Sequence, residues 1–219
     1  ALGSHVDRNA ALGLFFGGKP VLGQRGIEAN FAAAAVAGFQ DLVSKIMAKE
    51  LIGLGERGPI PKKQSSTMHI TNVVRGSFGF QLEEMNDQSS IVETALEQAV
   101  ERAGRLLIAF TAEDVSDFEE AVGETDERIV LAVRDIFHHL DQSDATFRYV
   151  TAEIDHSFSH PSVELALQRA LTTELKEETV GLLGSFGGFL PEGHMFEFQE
   201  DDGELIRGRI AREVTSPEI

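Results

Sequence analysis

The sequence predicts an α+β protein: N-terminal β segments and a long helix, a helical middle, and a small C-terminal antiparallel β meander. Three observations carry that expectation. Apolar residues recur at helical spacing from Ile27 to Leu51 and again through the middle of the chain. β-branched and aromatic runs bounded by glycines occupy both ends. The 219 residues are 42% hydrophobic and 25% charged, enough for a core and too apolar for a disordered acidic chain.

The first β segment, Leu12 to Phe16, is followed by Gly17-Gly18 and Pro20-Val21-Leu22, which predicts a short hairpin or irregular strand pair. A helix should run from about Ile27 to Leu51, with Ile27, Phe31, Ala35, Phe39, Leu42 and Ile46 on its buried side. Its small residues Ala32, Ala35 and Gly38 allow another backbone to approach, either a neighbouring helix or a second subunit. Leu51 to Ser66 reads as a loop, and Met68–Val74 and Phe78–Leu82 as two strands around Arg75-Gly76-Ser77.

Ser90-Ile91-Val92-Glu93 has the form of a capping box, in which the Ser and Glu side chains each satisfy a free backbone N–H, and predicts a helix to about Phe110. Two more helices are expected, from about Asp114 to Val122 and from Thr125 to Leu140. The second buries Ile129, Val133, Ile136, Phe137 and Leu140. Phe147 to Thr151 reads as a strand, and Pro161 suits the first turn of a helix ending near Thr173. In the tail, Glu178–Phe186, His194–Glu200 and Glu204–Ala211 alternate as strands, with Asp201-Asp202-Gly203 as a tight turn. Phe196 and Phe198 share a face that should be buried. The expected division is a main α+β domain over residues 1–175 and a small β module over 176–219.

Charge is distributed unevenly. Residues 1–80 hold nine basic and five acidic residues, whereas the rest of the chain holds ten basic and thirty-one acidic ones, giving the net charge of −17. The densest stretch, Glu113 to Glu127, has no cation. Such a surface repels nucleic-acid phosphates, since backbone affinity comes from Lys and Arg displacing counterions. The basic N-terminal part could dock on an acidic surface, its own or a partner's. The chain has no cysteine, which excludes disulfides, thiolate chemistry and Cys-ligated zinc and fits a reducing compartment. No apolar run approaches the length of a membrane span and no leader pattern precedes the chain, so a cytoplasmic location is expected.

Three motifs bear on chemistry. Gly53-Leu54-Gly55-Glu56-Arg57-Gly58 has G-x-G-x-x-G spacing, but a helix precedes it and Pro59 and Pro61 follow, so no helix N-terminus can receive a pyrophosphate. Asp155, His156 and His160, with His138 and His139 earlier, offer metal-ligand types. His156 and His160 fall in a loop, however, where helical i, i+4 geometry is lost. Finally, Arg134-Asp135-Ile136-Phe137-His138-His139 resembles the R-x(4–6)-H motif of HEPN-type ribonucleases, all-α dimers that cut RNA without metal. That resemblance implies that Arg134 steadies the scissile phosphate, Asp135 supports it, and His139 acts as acid or base. On an ideal helix His139 points about 140° away from Arg134, while His138 shares its face.

Gly18 to Ile27, Ile70 to Phe80 and Gly187 to Gly208 resemble blocks in bacterial proteins of no assigned activity. That resemblance implies a bacterial cytosolic origin and no chemistry. The reading that follows is a non-catalytic interaction or regulatory subunit, oligomeric, with a protein partner or itself as ligand and with no cofactor, metal or membrane. The alternative is a metal-independent HEPN-type ribonuclease, a toxin or defence effector, and only that alternative brings nucleic acid into contact with the chain.

Overall fold

One strand joins two hairpins. β1 (Ala11–Gly18) pairs antiparallel on one side with β3 (Phe78–Glu84), itself paired with β2 (Met68–Val74). On its other side it pairs with β4 (Ala145–Val150), which pairs with β5 (Asp155–Phe158). The sheet order is therefore β2-β3-β1-β4-β5. The structure, a computed structural model, describes residues 9–55, 57–74, 78–85, 93–112, 114–123, 125–173, 183–190, 195–201, 203 and 205–209. It divides the chain into two compact units, Ala1–Leu175 and Lys176–Ile219. The α+β class is as the sequence predicts.

β1 alternates strictly. Leu12, Leu14 and Phe16 are buried on the inner face, opposite Leu82, Phe80 and Phe78 of β3. On the outer face Phe15 faces Gly79 on one neighbour and Arg148 on the other. Its ring lies across the two strands so closely that a Cβ at Gly79 would collide with it, which is why glycine stands there. The Arg148 guanidinium sits 5.9 Å above the Phe15 ring, and Asp155 grips it with an Nε–Oδ1 distance of 2.6 Å. That hydrogen bond and the arginine's charge hold the Asp155 carboxyl below its ordinary range.

The inner face is covered by α1 (Ala29–Leu51), α2 (Ala95–Thr111) and α4 (Glu127–Gln142), with α3 (Val115–Gly123) and α5 (His160–Thr172) completing the helical layer. Phe39 of α1 meets Phe147 at 5.3 Å, Phe137 of α4 meets Phe147 and Phe158 at 6.2 Å, and the Phe147 and Phe158 rings stack at 4.1 Å. The expected buried faces of α1 and α4 are in the core, save Ile27, which is half-buried ahead of α1. By length and composition α1 could cross a membrane, with a mean hydropathy of 1.3 over its best window. Its alanines raise that figure, while its large side chains Phe31, Phe39, Leu42 and Ile46 are buried against the sheet and helices. The small-residue face goes to an internal neighbour: a Cβ at Gly38 would lie 3.2 Å from Ile136 of α4.

Several boundaries differ from the sequence expectation. Pro20 to Leu22 forms no second strand; only an isolated bridge, Val21 to Ile27, follows β1. Gly18, at φ +88°, ends the strand against Asp144 so tightly that a Cβ would strike the Asp144 carbonyl. α2 starts at Ala95 and is capped by Thr94, whose Oγ1 accepts from the Glu97 N–H at 3.0 Å and donates to Glu84 at 2.7 Å. Ser90 to Val92 lie outside the described residues. α4 is capped by Asp126 rather than opened by Thr125, the Arg128 N–H reaching Asp126 Oδ1 at 2.9 Å. β5 occupies residues expected to be loop; its polar Asp155, His156 and Ser157 hide the strand pattern. The 51–66 loop ends in a 3₁₀ turn, Lys63–Ser66.

The second unit is a three-stranded antiparallel sheet in the order β6 (Gly184–Leu190), β7 (Met195–Glu200), β8 (Leu205–Arg209). β6 begins later than expected, with Gly188 (φ +153°) at an irregularity inside it rather than at its end; residues 178–182 lie outside the described set. Phe196 and Phe198 are half-buried, not buried, because the described part of this unit is a single sheet with no layer stacked on it. Gly203 has φ +97°, as the turn requires.

Two predictions follow from this packing. Tyr149, the chain's one tyrosine, is fully buried and donates to the Val100 carbonyl at 2.8 Å. Burial first, and the Glu101 carboxylate second, push its pKa far above the ordinary value. Because the folded value is the higher one, its contribution to stability is complete below about pH 10, the unfolded value, and is lost as pH rises from there. In an alkaline titration its phenolate absorbance should stay silent past about pH 10 and then appear together with loss of helical circular dichroism. Ionisation without unfolding would contradict its burial. In the tail, Gly203→Val should cost roughly 1–2 kcal/mol, since a β-branched residue is strained at positive φ. Faster amide exchange confined to β6–β8 would report it.

Candidate functional site

The ribonuclease-like residues all lie on α4 but face different tasks. Arg134 directs its guanidinium to its neighbour Asp135, with Nη2–Oδ1 at 3.0 Å, both side chains being solvent-accessible. His138 is exposed and contacts Gln142 at 3.1 Å. His139 is half-buried; its ring stacks on Phe31 of α1 with centroids 5.0 Å apart, and Nε2 lies 3.1 Å from the Phe31 carbonyl oxygen. A carbonyl can only accept, so Nε2 carries the proton and donates it. His139 thus fastens α4 to α1 at the edge of a hollow of about 220 Å³ that Asp135 borders and Arg134 does not.

The other motifs have structural employment. Gly53 and Gly58 take positive φ values of 92° and 98°, and the loop between them is held by Arg128, whose Nη1 and Nη2 each donate to a carbonyl, Gly55 and Gly58, at 2.7 Å. No local pattern around Arg128 points to that role. Its geometry turns the loop's carbonyls toward a cation, the opposite of the N–H cradle that a phosphate needs. His160 opens α5 behind the Ser159 cap and sits 3.2 Å from Asp144, and the His156 ring meets Phe158 edge-on at 4.6 Å. Among the described residues no three His, Asp or Glu side chains converge as metal ligands would. In the acidic run, Asp114 accepts the Ser116 N–H and hydroxyl, which keep its carboxyl below the ordinary range, and Asp126 caps α4. Asp117, Glu119 and Glu120 are exposed on α3.

Of the other concavities among the described residues, two border the helices. A cleft of about 790 Å³ between the helices has a floor of Ile46, Leu106 and Ile129. Its rim carries three cations, Lys49, Arg102 and Arg105, and three carboxylates, Glu50, Asp117 and Glu120, so it selects neither sign. The second is an apolar groove of about 400 Å³ between α1 and the β2–β3 hairpin, lined by Ala33, Val36 and Ala37 on one side and Met68, Ile70 and Phe80 on the other. Its origin is visible in the hydrogen bonds. Gln40 of α1 clamps the entry to β2, donating to the Ser66 carbonyl at 2.7 Å and accepting from the Met68 N–H at 2.9 Å. Beyond that clamp β2 runs away from α1, and Ile70 and Val73 are left 53% and 47% exposed. Sequence reasoning found β2 but not its place at the sheet edge. The available signal was its lack of any charged residue.

Compared with known proteins, the chain matches no protein-family model and no curated protein.

If His139 serves packing, His139→Ala should lower stability by roughly 1–2 kcal/mol through the lost hydrogen bond and ring contact. Thermal melting measures this; an unchanged melting temperature would mean the residue is kept for something other than the fold.

Proposed function

We propose that this chain is a non-catalytic interaction or regulatory subunit of the cytoplasm that works as an oligomer. The observation that carries the reading is the surface made by β2 and the adjoining groove, where the exposed Ile70 and Val73 of one edge strand adjoin an apolar hollow. The polar groups that could do chemistry support it from the other side. His139, Arg128 and His160 each hold another part of the chain through a hydrogen bond or ion pair, and Arg134 pairs with its neighbour Asp135. Charge asymmetry contributes less than the sequence suggests, because Lys45 and Lys63 both turn to Asp41. Exposed pairs of that kind are worth about 0.2–1 kcal/mol each, so a stable assembly must bury apolar surface.

Light scattering at micromolar concentration should give the mass of a dimer or larger species, loosened only modestly by salt at roughly 0.5 M, where surface charges are screened. A strictly monomeric mass would overturn this reading. RNA cleavage by the purified chain, abolished by Arg134→Ala with the fold intact, would install the ribonuclease alternative in its place.

A further inference from the structure

We infer that the partner on this surface is a second copy of the same chain, joined to it edge to edge through β2 in one continuous sheet; this rests on the interaction reading above and specifies its partner. The two edges of the sheet are built differently. β5 is four residues long and carries Asp155, locked to Arg148 of the adjacent strand. A charge on a short edge strand discourages pairing. β2 is seven residues long, Met68–Val74, with no Asp, Glu, Lys or Arg and with four β-branched residues, Ile70, Thr71, Val73 and Val74. Five of its residues, His69 to Val73, are exposed. Nothing on β2 opposes a further strand.

Charge selects the identity of that strand. A two-fold interface sets each patch against its own copy, so a patch with an excess of carboxylates would oppose an equal excess. In a chain of net charge −17, that repulsion opposes self-contact through the acidic surfaces. β2 is exempt, since it has no charged side chain and lies in the part of the sequence with an excess of cations.

The strand's irregularity fits the same symmetry. Ile70 and Val73 are three apart and would point to opposite faces of a regular strand. The register shift between Ile70 and Asn72 brings both to the helix-covered face, opposite Leu82 and Phe80. A two-fold axis between Thr71 and Asn72 then places Ile70 opposite Val73 of the second copy, and the reverse, giving two identical apolar pairs. It also joins the two grooves beside α1 into one apolar channel.

The absence of cysteine makes the test clean. Asn72, opposite Gln81, lies on the outer face away from the groove. Next to the axis, its Cα should come within roughly 7 Å of its copy, inside disulfide reach. Asn72→Cys should therefore form a covalent dimer on mild oxidation, and Ser157→Cys on β5 should not. Ile70→Lys and, separately, Val73→Lys should raise the dimer dissociation constant about tenfold or more by opposing a lysine to an apolar residue twice per dimer. Both positions are exposed, so the helical circular dichroism of the folded chain at low temperature should be unchanged. An assembled chain in which Asn72→Cys fails to cross-link, or in which neither lysine variant weakens association, overturns the edge pairing and leaves the interaction reading standing. A monomeric parent chain overturns both.

Discussion

The fold depends on β1 having a partner along both of its edges. β3 and β4 are remote from it in sequence and from each other, and in the sheet order this one strand stands between the two hairpins. A two-stranded hairpin alone is marginal in water. With β1 between them the hairpins become five strands with one apolar face, and the helices have a surface to bury against. The same strand supplies both kinds of contact that the sheet needs. Inward, Phe16 meets Phe31 edge-on at 5.4 Å and ties the sheet to α1. Outward, Phe15 covers Gly79 and receives Arg148, so the exposed face of three strands is bound by one row of side chains. Glu84 closes the other end, accepting from the Ala10 N–H at 3.2 Å and from the Thr94 hydroxyl at 2.7 Å. One carboxylate thereby links the start of β1, the end of β3 and the cap of α2.

What the sequence showed well were features carried by local periodicity and local chemistry. The buried stripes of α1 and α4, the proline in the first turn of α5 and the positive φ of Gly203 all depend on near neighbours. What it concealed was decided by residues far away. Pro20 to Leu22 has strand composition, but both edges of β1 were already taken by β3 and β4. β5 has almost no strand composition and becomes one because β4 offers an edge and Arg148 a partner for Asp155. α2 begins at Ala95 with Thr94 as its cap, and the group that accepts the Thr94 hydroxyl, Glu84, belongs to another element, β3. The site was less legible than the fold. His139 and the Gly53–Gly58 loop, which stood out in the sequence, make contacts that hold the fold, and the surface that stands out in space, β2 with its groove, has no motif.

The acidity follows a similar division. Part of it is local structural work: Asp114 and Asp126 satisfy backbone N–H groups at helix starts, where a negative charge also suits the helix dipole. The remainder on α3 faces water, with Phe118 as that helix's foothold, its ring 5.2 Å from Phe110 and under the Arg169 guanidinium at 5.0 Å. Solvated carboxylates keep such a chain soluble by mutual repulsion. Repulsion acts between molecules as well as within them, and it therefore dictates where two copies can touch.

That constraint gives the uncovered edge its meaning. An open strand edge with exposed Ile70 and Val73 invites unregulated pairing, and proteins ordinarily close such edges with charge, proline or a covering element. This chain closes β5 in that way and leaves β2 open, although the surrounding sequence has charge to place there. If β2 were simply neglected, any extended apolar segment could join it. Its irregularity argues against neglect, because a strand that brings Ile70 and Val73 to one face accepts a partner strand only in registers that pair apolar with apolar. Its own copy is the one strand certain to have that complementary spacing, and the negative surface elsewhere on the chain turns away contacts in other orientations. Under the proposed pairing, openness at β2 and acidity over much of the rest act together, the edge offering a place for a strand to add and the carboxylates opposing contact across the negative surfaces.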